Sequence, residues 1–460
     1  MTLREMSVHG RRDALKMLAA APLCGLLSGA HQPAAGRPNV LFILADDLGF
    51  ADLSIYGRPD YETPRLDRLA REGVLLTNAY ANSCVCSPTR FALITGRYQY
   101  RFRGGAEEPL RGSTEFGLQP DVETLPGQFL RAGYATGLIG KWHLGLPPHF
   151  SPLRSGYQRF FGTLGGAIDY FTHKDDNGNE GLYDGERLVE RNGYLTDLLV
   201  GECKTWLREY RRSGQPFFLS LHPTAPHWPW EAPGDEALSR TLRQLVNFDG
   251  GSLRTYARMM THLDSAVGEV LDELERQGLA ENTIVVFTSD NGGERFSHMW
   301  PLSGEKGDLL EGGIRVPAIV RWPAAISAVG TRDQVAITMD WAPTLLDAAG
   351  IEGRMEFDGR SILAALQGAA PGPRNLFWRM KGRSQAAVRS GHWKYLRIGE
   401  NEYLFDLAQD ERERANRAQA ELATFAMLKA MYRAWERTMP PIPEDASAYT
   451  TSGAHDPTRN

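Results

Sequence analysis

The sequence has only 4 cysteines, no run of basic residues and no internal repeat. A formal net charge of −5 without a basic cluster argues against a nucleic-acid partner. Any anionic substrate must therefore be held by local positive charges rather than by the field of the whole molecule. The content of 42% hydrophobic and 23% charged residues is that of an ordinary globular protein. At 460 residues the chain is long for one core, which favours one large domain and one smaller domain.

Residues 1–35 resemble a twin-arginine export signal. Arg11 and Arg12 precede a short apolar run at 17–23, and small residues suitable for cleavage follow. An amphipathic helix or a membrane anchor is the alternative, but this run is too short to span a bilayer. We therefore expect an exported protein, periplasmic or extracellular, without stable membrane insertion. The cysteines outside this segment are odd in number, which points to one thiol with a separate purpose: Cys84, Cys86 and Cys203.

Cys86 lies at the start of a predicted short helix. Ser87 suits the N-cap, Pro88 suits the first helical position, and Gly96 can end the helix. The positive end of the helix dipole and the charge of Arg90 would stabilise an anion, either a thiolate or a bound oxyanion. A buried structural cysteine explains this stretch equally well.

Continuous apolar runs predict strands that are covered on both faces, as in a parallel sheet. The predicted strands are 40–45, 135–140, 217–222, 283–288 and 318–320. Helical patterns lie between them, at 63–70, 196–212 and 253–277. We therefore expect an α/β fold with a large, mostly parallel sheet sandwiched by helices.

The sequence changes character at about residue 371. Alternating apolar and polar residues predict half-exposed strands near 376–379, 385–389, 393–397 and 402–407. A helix over 415–439 and a loosely ordered polar tail are expected to follow. We accordingly predict a catalytic domain at 36–370 and a smaller C-terminal antiparallel sheet plus helix, with the tail, at 371–460.

Two of the predicted buried strands end in oxygen-bearing side chains followed by glycine. Asp46 and Asp47 follow the first strand, and Asp290 and Asn291 follow the strand at 283–288. Ligands collect at the carboxyl ends of parallel strands, and this oxygen set suits Ca²⁺ or Mg²⁺. Zinc would recruit more histidine or thiolate and is the lesser option.

Cationic and imidazole side chains occupy comparable positions. Lys141 and His143 follow the strand at 135–140 and would point the same way in an extended backbone, forming an anion clamp. Prolines on both sides hold His227 in a stiff loop, and Lys306 lies in a glycine-flanked loop. An exposed loop pair is the alternative for Lys141 and His143.

The stretch from Cys86 to Arg90, with Thr95-Gly96-Arg97, resembles the signature of the type I sulfatase family. Residues 133–143 resemble the second signature of that family, and the other candidate residues occur in the family's order between about residues 38 and 420. The resemblance implies an alkaline phosphatase-like fold and hydrolysis of a sulfate ester. It also implies that a formylglycine-generating enzyme converts Cys86 to formylglycine (3-oxoalanine), whose hydrate attacks sulfur.

The resemblance further assigns a role to each candidate residue. Asp46, Asp47, Asp290 and Asn291, together with residue 86, would hold one Ca²⁺, with Mg²⁺ less favoured. Arg90 and Lys141 would steady the aldehyde hydrate, and His143 would act as the base that restores the aldehyde. His227 and Lys306 would bind sulfate and protonate the leaving alcohol.

Other functions remain open at this point. The same metal set suits a phosphate or phosphonate monoester hydrolase of the superfamily, and a hydrolase using the unmodified Cys86 thiol or a binding protein without activity are further alternatives. The predicted substrate is a sulfated glycan rather than a small aryl sulfate. Tyr170, His173 and Trp228 are candidates for stacking on a sugar or aryl ring. His222 either ends its strand or lines the pocket.

Overall fold

The computed structural model describes residues 36–175, 177–242, 244–246 and 250–449. The predicted export signal and the last residues of the predicted tail lie outside these ranges. The helices are α1 (Pro64–Arg71), α2 (Cys86–Thr95), α3 (Leu125–Arg131), α4 (Leu195–Ser213), α5 (Glu236–Ser239), α6 (Leu253–Arg276), α7 (Glu311–Ile314), α8 (Trp341–Ala348), α9 (Leu363–Leu366) and α10 (Leu422–Glu436). None of these helices is long and apolar enough to cross a bilayer.

Most strands belong to one large sheet. The strands are β1 (Asn39–Ala45), β2 (Val74–Leu76), β3 (Ala79–Tyr80), β4 (Ala135–Lys141), β5 (Arg159–Thr163), β6 (Leu182–Asp184), β7 (Arg187–Leu188), β8 (Phe217–His222), β9 (Thr283–Ser289), β10 (Ala318–Arg321), β11 (Gly330–Arg332), β12 (Ala336–Ile337), β13 (Asn375–Met380), β14 (Gln385–Ser390), β15 (Trp393–Ile398) and β16 (Asn401–Asp406). The ten-stranded sheet has the order β11-β2-β10-β9-β1-β8-β4-β5-β6-β7.

The centre of the large sheet is parallel. β1 pairs in parallel with β8 and β9, and β4 pairs in parallel with β8 and β5. β10 joins β9 antiparallel, and β6 and β7 continue the other edge antiparallel. The predicted mostly parallel α/β sheet is confirmed, and the edge strands β5 to β7 are an addition that the sequence patterns did not indicate.

Alternate residues of β1 pack into two separate cores, which is why the strand is apolar throughout. Leu41 and Ile43 face a core formed with α1, α4 and α6. Phe42 and Leu44 face a second core formed with α2, α3 and α8. The sheet is thus covered by helices on both faces, and only its edges remain for polar chemistry.

The second sheet is the predicted antiparallel one, with the order β13-β14-β15-β16. Helix α10 packs on it but begins at Leu422, later than the predicted start near residue 415. The turn before α10 is bonded to β16 instead of joining the helix. The Asn416 side chain accepts hydrogen bonds from the backbone of Leu404 and Ala418. In addition, Arg417 N donates to Leu404 O. The side chain of Asn416 therefore competes successfully with the helix.

A fully buried lysine links the second sheet to α7. Lys394 Nζ on β15 lies 2.9 Å from Glu311 on α7 and 2.8 Å from Glu413. All of these side chains are 0% exposed, so their charges depend on one another and on the further contact of Glu311 with the Tyr80 hydroxyl at 2.6 Å. We place the domain boundary at 370/371 as a proposal, since β13 begins shortly after it.

We predict that Lys394→Met lowers the free energy of unfolding by about 3 kcal/mol, because it leaves two buried carboxylates without their cation. Denaturant unfolding at neutral pH measures the change. The matched control is Lys429→Met, which removes a partly exposed pair with Glu402 and should cost less than about 1 kcal/mol. Equal losses in the two variants would contradict a structural role for the buried network.

Candidate active site

The candidate residues meet at one edge of the large sheet. Because β1, β4, β8 and β9 run parallel, their carboxyl ends lie side by side. Asp46 directly follows β1, Asp290 directly follows β9, Lys141 is the last residue of β4, and His227 lies in the loop after β8. The topology alone thus brings together residues that are far apart in the chain.

Asp46 is completely buried and is only partly satisfied. Its Oδ2 lies 2.7 Å from Lys141 Nζ, and its Oδ1 lies 3.7 Å from Arg90 Nη2. Oδ1 has no hydrogen-bond partner among the described residues. Burial raises the pKa of Asp46 to about 8, although Lys141 and Arg90 oppose the change. The carboxylate therefore lacks positive charge on one side.

Asp47 is the more strongly compensated of the two aspartates. Its Oδ2 accepts from Lys306 Nζ at 2.6 Å and lies 3.5 Å from His227 Nε2. Its Oδ1 accepts from Asn291 Nδ2 at 2.7 Å. Burial alone would raise the pKa of Asp47, but Lys306 and His227 outweigh it and hold the pKa below its usual value. The Lys306 loop is fixed as well, since Lys306 N donates to Gly293 O at 2.9 Å.

Asp290 receives a two-pronged contact from the helix that carries Cys86. Arg90 donates to Asp290 Oδ2 through Nε at 3.0 Å and Nη2 at 2.8 Å. Arg90 also donates to Lys141 O at 3.0 Å. Its fixed planar fork therefore sets the distance between α2, β4 and β9.

The helix bearing Cys86 begins two residues earlier than predicted. Cys86 is its first residue and Val85 its N-cap, so Ser87 and Pro88 lie inside the first turn. The Ser87 hydroxyl is occupied elsewhere, because it accepts from Leu110 N at 2.7 Å. Gly96 ends the helix as predicted, with φ at 64°.

Cys86 is buried against the carboxylates. Ligand atoms of Asp46, Cys86 and Asp290 lie within 4.8 Å of one another. Burial raises the pKa of the Cys86 thiol, although Lys141 and Lys306 oppose the change. The helix terminus therefore does not make this cysteine a thiolate at neutral pH.

The two histidines near the site, His143 and His227, differ in which ring nitrogen is hydrogen-bonded to a backbone carbonyl oxygen. His143 Nε2 lies 2.8 Å from the carbonyl oxygen of Leu110, and His143 Nδ1 has no partner among the described residues. A carbonyl only accepts, so the proton sits on Nε2 and Nδ1 carries a lone pair. In His227 the arrangement is reversed, because Nδ1 lies 2.7 Å from Trp228 O and Nε2 faces Asp47.

His143 does not lie in extended backbone, as the sequence reasoning assumed. β4 ends at Lys141, and His143 has φ at 59°. His143 is nevertheless brought close to the charged cluster, where burial, Lys141 and Arg90 keep its pKa well below the usual value. His222 ends β8, with Nδ1 3.3 Å from Lys141 O, which is one of the two predicted alternatives.

The oxygen atoms at the strand ends fit a divalent cation. Ligand atoms of Asp46, Asp47 and His227 also lie within 4.8 Å of one another, so two such groups share Asp46. Asn291 Oδ1, like Asp46 Oδ1, is buried and has no hydrogen-bond partner in the part of the chain that the structure describes. Carboxylate and amide oxygens are the ligands preferred by Ca²⁺, and buried polar atoms are rarely left unpaired.

The three aromatic side chains that were predicted to stack on substrate lie in different environments. Tyr170 is buried and donates to His227 O at 2.9 Å, so it supports His227 rather than stacking on substrate. His173 is also buried, with Nε2 3.1 Å from Gly193 O, and is a packing residue. Trp228 remains half-buried beside the His227 ring, at 4.3 Å between centroids.

Two residues near the site were missed by the sequence reasoning. Glu294 Oε2 lies 3.5 Å from Lys306 Nζ, and its place after Gly292-Gly293 could have suggested it. The ring of Tyr449 packs against Gly307, the residue after Lys306. No local pattern could have indicated Tyr449, because its position depends on contacts between distant parts of the chain.

Comparisons with known proteins agree with this geometry. A family model described as Sulfatase matches residues 38–351, and a second, described as N-sulphoglucosamine sulphohydrolase, C-terminal, matches residues 305–433. Arylsulfatase J of Mus musculus is 34% identical over 406 residues, covering 80% of this chain and 66% of the mouse protein. N-acetylgalactosamine-6-sulfatase of Rattus norvegicus is 32% identical over 421 residues, covering 86% of this chain and 76% of the rat protein.

Solved structures are similar over most of the chain. Ps i-CgsB in complex with k-i-k-neocarrahexaose has a TM-score of 0.80 and 29% identity, covering 91% of this chain and 97% of that one. Phosphonate monoester hydrolase of Agrobacterium radiobacter has a TM-score of 0.60 and 21% identity, covering 87% of this chain and 96% of that one. The second likeness concerns the fold alone.

We predict that Ca²⁺ raises the melting temperature, because a ligand that binds only the folded state stabilises it. Chelation should reverse the shift, and Asp290→Asn should reduce it strongly. The control is Asp264→Asn, which alters a buried aspartate that accepts from the backbone of Arg65 and Leu66, away from the site. Thermal denaturation with and without Ca²⁺ measures both. An undiminished shift in Asp290→Asn would place the ion elsewhere.

Proposed function

Because the chain belongs to the sulfatase family of the alkaline phosphatase-like superfamily, we propose that it hydrolyses sulfate esters of a carbohydrate at the site around Cys86. One observation carries the proposal: two buried oxygens, Asp46 Oδ1 and Asn291 Oδ1, have no hydrogen-bond partner within the described ranges, and they lie at the carboxyl edge of the sheet, where Asp46 lies beside Cys86. A cation at this point and a modified residue 86 would complete the set. The names of the relatives support a sulfated glycan as substrate.

Asp46, Asp47, Asp290 and Asn291 would hold Ca²⁺, which when bound neutralises sulfate oxygens and polarises the nucleophile. Formylglycine at position 86 would supply the nucleophilic hydroxyl. The family resemblance implies both the Ca²⁺ and the formylglycine at these residues. The Ca²⁺ would also satisfy the two unpartnered oxygens and remove the need for Asp46 to bind a proton.

The protein's own cations would position residue 86 and the sulfate. Arg90 is held by Asp290, and Lys141 by Asp46, so both present their charge next to residue 86 without reorganisation. Fixed charges of this kind stabilise developing negative charge more strongly than water does. Lys306, held by Asp47, would bind the sulfate from the opposite side.

The two histidines would move protons in opposite directions. His143 presents an unprotonated Nδ1 and would accept a proton, because its Nε2–H is committed to Leu110 O. His227 commits Nδ1–H to Trp228 O, and burial keeps its pKa well below the usual value although Asp47 opposes the change. Its Nε2, which faces Asp47, would therefore have to take up a proton before passing it to the leaving alcohol. An acid at this point matters because sugar alkoxides are poor leaving groups.

The formal charges favour sulfate over phosphate as the group removed. With all side chains ionised, the site carries one net negative charge from Asp46, Asp47, Asp290, Glu294, Arg90, Lys141 and Lys306. Ca²⁺ changes this to one positive charge, which a sulfate ester monoanion balances. A phosphate monoester dianion would leave the buried site negative, at a cost in desolvation. Phosphate hydrolysis therefore remains the second candidate, whereas a phosphonate monoester is a monoanion and is not separated from a sulfate ester by this charge balance.

We further propose that the protein is exported to the periplasm or the exterior. The twin-arginine motif at Arg11 and Arg12 supports this proposal. A formylglycine-generating enzyme would act on Cys86 before folding, since the folded chain buries this residue at 3% exposure. Modification after folding would require α2 to unfold.

We predict that protein from a host able to mature sulfatases releases sulfate faster than phosphate from matched aryl esters. A panel of 4-nitrophenyl sulfate, N-acetylgalactosamine 6-sulfate and a carrageenan oligosaccharide should show the highest kcat/KM on a glycan. Cys86→Ala should abolish turnover, because it removes the site of the nucleophile. The matched control is Cys203→Ala, a buried thiol on α4 in the core opposite α2, which should retain activity. Faster release of phosphate, or full activity in Cys86→Ala, would refute the proposal.

A further inference from the structure

The segment at 440–449 follows α10 and is fixed, contrary to the predicted loose tail. Lys381 Nζ donates to the carbonyl oxygens of Pro443, Glu444 and Ala446, at 3.3, 2.6 and 2.6 Å. Arg379 donates to Pro440 O. We call residues 440–449 the return segment, since they lead the chain from the second sheet back to the active site.

A second set of hydrogen bonds ties the return segment to the loop after α2. Ser447 N donates to Glu107 at 2.8 Å, and Ser447 Oγ donates to Pro109 O at 3.1 Å. Glu108 N donates to Ser447 O at 3.2 Å. Each of the three hydrogen bonds has a peptide group at one end or both, so residue 447 is held by its backbone as well as by its side chain.

The loop that anchors Ser447 also touches the catalytic machinery. Leu110 O accepts from His143, and Leu110 N donates to Ser87 on the helix of Cys86. The anchor at residues 107–110 is therefore continuous with the catalytic loop. The hydrogen bonds that hold the return segment therefore belong to the same network as those that hold His143 and Ser87.

Tyr449 lies two residues beyond this anchor and packs against the Lys306 loop. A Cβ added to Gly307 would lie 2.5 Å from Cε1 and 2.6 Å from Cδ1 of the Tyr449 ring. Only a residue without a side chain can accept the ring at this distance. Gly307 also has φ at 91°, so the loop conformation and the aromatic contact both require glycine here.

Tyr449 is half-buried and packs against the core of the second sheet, so part of its ring remains exposed. Burial raises the pKa of its hydroxyl, and the charged groups near it include Glu294, Lys306 and Asp47. Glu294 has a buried Oε2 with no hydrogen-bond partner among the described residues. The Glu294 carboxylate forms an ion pair with Lys306 at 3.5 Å. An aromatic face next to a carboxylate is a combination that matches the apolar C–H face and the hydroxyl groups of a sugar.

We propose that Tyr449 forms the wall of the substrate pocket on the Lys306 side and packs against the sugar ring from which sulfate leaves, with Glu294 accepting from a ring hydroxyl. This inference rests on the proposed sulfatase function. The side is set by Lys306, the residue matched to the leaving alcohol. The return segment would thus add a substrate contact to a site whose other residues lie at the carboxyl edge of the large sheet and on α2.

The test compares Tyr449→Ala, Tyr449→Phe and Tyr449→Leu in the full-length matured protein. The substrate is the sulfate ester that the unsubstituted protein turns over fastest, and inorganic sulfate serves as a competitive inhibitor. We expect KM to rise about tenfold in the alanine and leucine variants, in line with loss of one ring contact. The phenylalanine variant should keep its KM, and Ki for inorganic sulfate should stay unchanged in all three.

The readouts separate recognition from structural damage. Leucine retains most of the packing volume, so a normal melting temperature with a raised KM would support a contact with the sugar. The matched control is Tyr403→Ala, another half-buried tyrosine packed against the same core as Tyr449 but placed on β16, and its KM should not change.

Other outcomes would overturn the inference. An unchanged KM in Tyr449→Ala and Tyr449→Leu would show that the ring does not touch substrate. A Ki for sulfate that rises in parallel with KM would show damage to the sulfate site instead. Either result, obtained with active unsubstituted protein, leaves the proposed function intact, whereas failure of the unsubstituted protein to release sulfate from any ester refutes that function first.

Discussion

Carboxylates that repel one another are buried at the carboxyl edge of the sheet, and the structure depends on offsetting this repulsion. Asp46, Asp47 and Asp290 are essentially inaccessible to water, and their charges are tolerated only because cations meet them directly. Lys141, Arg90 and Lys306 each contact one of these aspartates at less than 3 Å. Since no two of these cations come from the same element, charge balance links distant parts of the chain.

That requirement explains the close approach of the backbone around the site. A Cβ at Gly140 would lie 1.9 Å from His222 O, so only glycine lets β4 lie close enough to β8 for the next residue, Lys141, to reach Asp46. Arg90 can bridge Asp290 and Lys141 O only from a helix that starts at Cys86. The nucleophile position and the cation positions are therefore consequences of one electrostatic arrangement.

Much of this could be predicted because parallel strands place their ends together. The runs 40–45 and 283–288 indicated both the strands and the metal-binding edge, and the signatures around Cys86 and Lys141 indicated the chemistry. Predictions from local sequence patterns were wrong where the side chain is hydrogen-bonded to a residue that is distant in the sequence. Ser87 looked like an N-cap but is bonded to Leu110, and Tyr170 looked like a stacking residue but is bonded to His227.

The tail was the largest difference between sequence and structure. Its prolines and polar residues indicate a loosely ordered segment, and its hydrogen bonds to Lys381 and Glu107 have no counterpart in local sequence. Glu294 was missed for a related reason, since its importance comes from Lys306. The residues that we propose recognise substrate are held by tertiary contacts, whereas the proposed metal ligands directly follow the strands.

The most direct test is a crystal structure of active, matured protein grown with Ca²⁺, with anomalous scattering used to locate calcium and sulfur. The account predicts one calcium peak about 2.3–2.6 Å from oxygens of Asp46, Asp47, Asp290 and Asn291, and no sulfur peak at residue 86. A calcium peak elsewhere, or a cysteine sulfur at residue 86 in fully active protein, would contradict it.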